Sequence, residues 1–88
     1  MNSAQREFFR LALLRVLSAN KSGRALGAPA LSVLVGEFGF SPRAEEVTAA
    51  LEYLEAIGAI HRQQQTISPE NAGWKITDAG SIILERQG

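Results

Sequence analysis

Hydrophobic positions along this chain recur first with the period of a helix and, after Gly58, with that of a strand. From Ser3 to about Ser18 no Gly or Pro interrupts a run dominated by Leu, Ala, Arg, Gln and Glu, which predicts a first helix. Phe9, Ala12, Leu13, Val16 and Leu17 fall on one side of it, while Phe8, Leu11 and Leu14 project elsewhere. A helix in a small domain should leave one face wet, so this surplus implies burial on two sides. The cover is either the last helix of the same chain or a second copy, with Phe8, Leu11 and Leu14 as the interface of a homodimer.

Asn20 to Gly27 has the composition of a connection, with Arg24-Ala25-Leu26 available for a very short extended piece. Pro29 suits the first turn of a second helix over about residues 29–38, whose buried face is Leu31, Leu34, Val35 and Phe38 and whose stop is Gly39. Ser41 as cap and Pro42 at the first position then predict a third helix over about 42–57. Its Val47, Ala50, Leu51, Leu54 and Ile57 lie within about 120° of circumference. Two helices joined by a short Gly-containing turn have the form of a helix-turn-helix.

Beyond Gly58, Ala59 to Arg62 and Trp74 to Thr77 read as two strands of a hairpin over about 59–77, with Trp74 and Ile76 facing inward and Lys75 and Thr77 outward. Thr77 or Asp78 can cap a last helix over about 78–86. The expected class is mainly α with a small β-hairpin, an α+β architecture occupying residues 1–88 as one domain.

The order helix, short extended piece, helix, turn, helix, hairpin, helix resembles a winged helix-turn-helix domain over essentially the whole chain. Two stretches carry the resemblance: VTAALEYLEAIGAI from Val47 to Ile60 and WKITDAG from Trp74 to Gly80. The first is similar to the pattern in which leucines three or four apart end in a Gly-aliphatic pair. The second is similar to the aromatic-x-aliphatic-Thr-x-x-Gly exit from the wing. Both patterns are common in MarR-, PadR- and ArsR-like regulators, and they specify a fold rather than a ligand. Length and the spacing of the first three helices are also similar to small winged-helix proteins of Mu-like bacteriophages. The resemblance implies a bacterial or phage transcriptional regulator that binds double-stranded DNA. Ser41, Arg43, Ala44 and Thr48 would face bases, and Arg62, Lys75, Lys21 and Arg24 would face phosphates.

Charge complicates that implication. Nine basic and nine acidic residues cancel, so the chain lacks the basic balance that usually marks a nucleic-acid binder. The cancellation is uneven: residues 1–24 hold five cations against Glu7 alone, a net +4, whereas residues 37–58 hold Arg43 against five glutamates, a net −4. The outward face of the third helix, with Glu45, Glu52 and Glu55 beside Thr48, Ala49 and Ala56, opposes deep insertion into a polyanion. The alternative is a winged helix that serves as a protein–protein module, its partner meeting the acidic third helix and the apolar first helix. Both charge clusters also read plainly as solvated helix faces.

Catalysis has little to stand on. Without cysteine and with the single His61 on a strand, neither a Cys/His dyad nor a thiolate metal site can be built, and no phosphate-cradling glycine motif occurs. The expectation is therefore a non-enzyme with no cofactor and no metal. The longest apolar runs, Leu11 to Leu14 and Ala30 to Val35, fall far short of the roughly 20 residues that cross a bilayer, and Met1 to Arg10 lacks a signal-peptide pattern. The expected protein is soluble and cytoplasmic.

Overall fold

A computed structural model of the chain describes residues 2–20, 25–64 and 72–87. Helix α1 spans Ser3–Ala19. The Asn2 side chain accepts the Gln5 N–H at 2.9 Å and Gln5 Oε1 accepts the Asn2 N–H at 3.0 Å, a reciprocal cap that satisfies two of the orphan donors of the first turn. Strand β1, Leu26–Gly27, leads into α2, Ala28–Leu34, with Pro29 in its first turn where a missing N–H costs nothing.

The second helix then tightens into a 3-10 turn at Val35–Phe38 before Gly39, at φ 86°, ends it. Leu31 and Val35 are buried as the period predicts, but Phe38 remains 45% exposed. It sits in the final turn of the 3-10 segment, where the 3.6-residue stripe no longer applies.

Helix α3 spans Ala44–Ala56 and begins later than the sequence reading placed it. Its N-cap is Arg43 in an extended conformation, and Ser41 does not cap it. The Arg43 N–H donates to Glu46 Oε1 at 2.9 Å, while the Arg43 carbonyl accepts from the Glu46 and Val47 amides. A carboxylate three residues into the helix holds the cap amide and complements the positive end of the helix dipole, which fixes the boundary after Pro42. At the other end Ala59 N–H bonds the Leu54 carbonyl at 2.9 Å and Gly58 N–H the Glu55 carbonyl at 3.0 Å, with Gly58 at φ 79°. This paired closure needs a left-handed residue, which glycine reaches without strain. Ile57, expected on the buried face, is at the C-cap beyond the last full turn and is 46% exposed.

Strands β2, Ile60–Gln64, and β3, Ala72–Ile76, form the antiparallel hairpin, and β1 pairs with the outer edge of β3, giving the order β1-β3-β2. The sequence anticipates the hairpin, and the short extended piece expected at Arg24-Ala25-Leu26 overlaps β1 at Leu26 only. Helix α4, Asp78–Gln87, follows, capped by Thr77, whose hydroxyl accepts the Gly80 N–H at 3.2 Å. One core unites the elements: Phe9, Leu13, Leu14, Leu31, Leu51, Leu54 and Ile60 are all at most 2% exposed.

Candidate nucleic-acid interface

The entering end of α3 brings four of the expected contact residues together. Ser41, Arg43, Ala44 and Thr48 are all exposed, and Ala44 and Thr48 stand one turn apart on the same flank of the helix. Val47, Ala50, Leu51 and Leu54 take the core side. The line directly opposite them carries Glu45, Ala49, Glu52 and Ala56, so the acidic ridge anticipated from the sequence is the solvent face.

The other flank of α3 meets α1. Arg6, Phe9 and Arg10 from α1 and Glu45, Glu46, Ala49 and Ala50 from α3 line one shallow cleft of about 300 Å³. The Arg10 guanidinium carbon lies 3.7 Å above the centre of the Tyr53 ring. The positive and negative segments that look separate along the chain are thus folded against each other at this seam. Arg6 and Arg10 share this cleft with the two glutamates nearest the start of α3, and Glu52 and Glu55 lie farther along its exposed side. No sequence signal revealed this, because Arg10 and Tyr53 belong to different helices whose relative placement depends on the core.

The wing divides its cations. In the register of β2 and β3, Arg62 stands opposite Trp74 and His61 opposite Lys75, so Arg62 and Lys75 point to opposite faces of the hairpin. Trp74 is buried, 5% exposed, as its inward alternation predicts. Arg62 is exposed and spreads its guanidinium over the indole, 4.8 Å from the ring centre. Lys75 is half-buried and His61 exposed. Lys21 and Arg24, the other expected phosphate contacts, lie outside the described residues.

Of the three side chains assigned to a dimer interface, Leu14 is withdrawn from it. Leu14 is 1% exposed and borders the groove where α1, α3 and α4 meet, with Leu54 and Ile83. The last helix covers this side of α1, which removes Leu14 from any partner. Phe8, 66% exposed, stays open, while the half-exposed Leu11 borders the same groove as Leu14. Among the described residues no three His, Asp or Glu side chains gather as a metal set, and no helix is long and apolar enough to cross a membrane.

A helix-turn-helix whose second helix is followed by a hairpin packed on the same core defines a winged helix. Solved structures agree: the chain superposes on a Staphylococcus aureus MepR–DNA complex with TM-score 0.73 at 18% identity, covering 96% of this chain and 68% of that one. It superposes on a MarR-family transcriptional regulator of Silicibacter pomeroyi with TM-score 0.72 at 20% identity, covering 89% and 47%. The transcriptional regulator BldR of Sulfolobus solfataricus matches with TM-score 0.69 at 19% identity, covering 90% and 50%. The chain spans about half the length of several of these structures. No protein-family model matches the sequence, and no curated protein matches it.

Proposed function

We propose that the chain is a cytoplasmic DNA-binding protein of bacterial or phage origin that acts in transcriptional control. It docks on double-stranded DNA with the entering end of α3. The observation that supports this most is the composition of that end. Ser41, Arg43, Ala44 and Thr48 are exposed there, Glu46 is engaged with the Arg43 amide, and the Glu45–Glu46 pair borders Arg6 and Arg10. Similarity to structures named as transcriptional regulators, one of them a DNA complex, supports the same reading.

Docking is end-on in this proposal. Glu52 lies eight residues beyond Ala44, roughly 12 Å along the axis at the rise of an α-helix, so only the first two turns approach the groove. Ser41, Arg43, Ala44 and Thr48 reach base edges, and one face of the wing supplies backbone contact through Arg62 or Lys75, with Lys21 and Arg24 adding phosphate contacts. The protein acts as a binder, without a cofactor and without a reaction to catalyse.

The test is titration with random-sequence duplex at low and moderate salt, read by backbone amide shifts. The expected result is movement across Ser41 to Thr48 and in β2 and β3, fading as salt rises. If no amide in those segments moves at low salt, the proposal is lost.

A further inference from the structure

We propose that the entering end of α3 selects A·T pairs, packing the methyl groups of Ala44 and Thr48 on the C5-methyl groups of thymines in the major groove. This rests on the DNA reading above and names the bases which that reading leaves open. It follows from what the stretch between Ser41 and Ala49 can offer a base edge.

A G·C pair shows the major groove two acceptors on guanine and an amino donor on cytosine, whereas an A·T pair adds a methyl group to its polar edge. The stretch, SPRAEEVTA, holds no Asn, Gln or Lys to pair with the polar groups. Its two carboxylates would suit the cytosine donor, but they are drawn elsewhere. Glu46 Oε1 accepts the Arg43 N–H at 2.9 Å, and Glu45 and Glu46 both border the cleft that Arg6 and Arg10 line. Val47 is 1% exposed and turned to the core. Arg43 supplies one cation at the cap. Between it and the second turn, the flank that faces out carries the methyl of Ala44 and the methyl and hydroxyl of Thr48.

Side chains one turn apart on a helix have Cβ atoms about 5–6 Å from each other. Bases along one strand are spaced by about 3.4 Å, so the two methyls span one to two base steps. Apolar contact from Ala or from the Thr methyl is the match for a thymine methyl. The same flank laid on G·C would cover donors and acceptors that it cannot pair, and a buried polar group without a partner carries the full cost of its lost water. Selection therefore comes from what G·C loses as well as from what A·T gains.

The experiment is fluorescence anisotropy of the full chain at low salt with three labelled duplexes: alternating dA·dT, the same polymer with deoxyuridine for thymidine, and alternating dG·dC. Deoxyuridine deletes only the C5 methyl. The wild type is expected to bind the thymine duplex about three- to tenfold more tightly than the deoxyuridine duplex, the range for one or two buried methyl groups. Thr48→Ser and Ala44→Gly each delete one side-chain methyl, and each is expected to cut that ratio about twofold or more while affinity for the deoxyuridine duplex holds. Thr48→Ser, which keeps the hydroxyl, decides the matter should Ala44→Gly loosen the start of the helix. Ala49→Ser, on the flank that borders the α1 cleft, is expected to leave the ratio unchanged. The ratio should also hold as salt rises and both affinities fall, because a methyl contact displaces no counterion. Equal affinity for the thymine and deoxyuridine duplexes, a preference for dG·dC, or a ratio that survives both variants overturns the proposal and leaves DNA binding standing. A chain that binds none of the three duplexes overturns the DNA reading itself, and this proposal with it.

Discussion

The Thr77 hydroxyl donates to the Gly58 carbonyl across 2.5 Å, joining the residue that closes α3 to the residue that opens α4. The same oxygen accepts the Gly80 N–H, and the Thr77 N–H donates to the Ala59 carbonyl at 3.0 Å. Three bonds through one residue set the direction of α3 against the wing exit and the last helix. A threonine at this place in WKITDAG is therefore a mechanical requirement of the fold: its side chain must donate to one element and accept from another.

Thr77→Val keeps the shape and removes the hydroxyl. It is expected to cost about 1–3 kcal/mol, the combined worth of a lost cap and a carbonyl left without its donor. Thr77→Ser should recover most of that. Urea denaturation of the three proteins, with stability taken from the midpoints and a common slope, checks the order wild type, Ser, Val.

Two glycines should respond to alanine with opposite signs. A Cβ at Gly80 would overlap the Ala59 carbonyl oxygen and lie 2.7 Å from Ile76 Cγ1, so α4 could no longer approach the hairpin. Gly80→Ala is expected to destabilise by about 1–3 kcal/mol although alanine is the better helix former. At Gly36 nothing lies within 4 Å of the added Cβ. Gly36→Ala should therefore stabilise by about 0.4–1 kcal/mol through the unfolded chain. Thermal unfolding separates the two, since 1 kcal/mol moves the midpoint of a domain this size by roughly 4–8 °C.

These contrasts also show what was legible in the chain. Periodicity placed all four helices, the hairpin and the burial of Trp74, because each is a local consequence of spacing. The start of α3 was misplaced because the Ser41-Pro42 signal competed with Glu46, whose carboxylate bonds the Arg43 amide. Leu14 was misassigned to a partner because the sequence does not say which side of α1 is crossed by α4. The two charge clusters are legible but their meeting is not: Arg6 and Arg10 are distant in sequence from Glu45 and Glu46 and share a cleft with them only after folding. Exposed residues at the entering end of α3 were legible, since a helix with a clear core side declares its wet side too.

The cross-strand pair of Arg62 and Trp74 gives an optical prediction, because Trp74 is the one tryptophan of the chain. Removing the guanidinium in Arg62→Ala uncovers the indole, so emission should shift to the red, and stability should fall by about 0.5–1 kcal/mol. Arg62→Lys keeps the charge but not the flat stack, and should show a smaller shift than alanine. An unchanged emission maximum in Arg62→Ala would mean that the stack is absent in solution.

The acidic side of α3 gives the sharpest test of the proposed end-on approach to DNA. If α3 enters end-on, Glu52 and Glu55 stay outside the groove yet near enough to repel phosphates. Neutralising them as Glu52→Gln and Glu55→Gln should then tighten binding to random duplex by about two- to fivefold each at low salt, with the gain shrinking as ionic strength shortens the screening length. Glu45→Gln should gain less, because Glu45 shares its cleft with Arg6 and Arg10. Arg43→Ala should weaken binding and reduce the slope of log affinity against log salt by about 0.9, the signature of one lost phosphate contact. If Arg43 reads a base instead, affinity falls with the slope nearly unchanged and the preference for one sequence relaxes. Were Arg43→Ala to leave affinity, slope and sequence preference alike untouched, α3 would not be the element that meets the duplex.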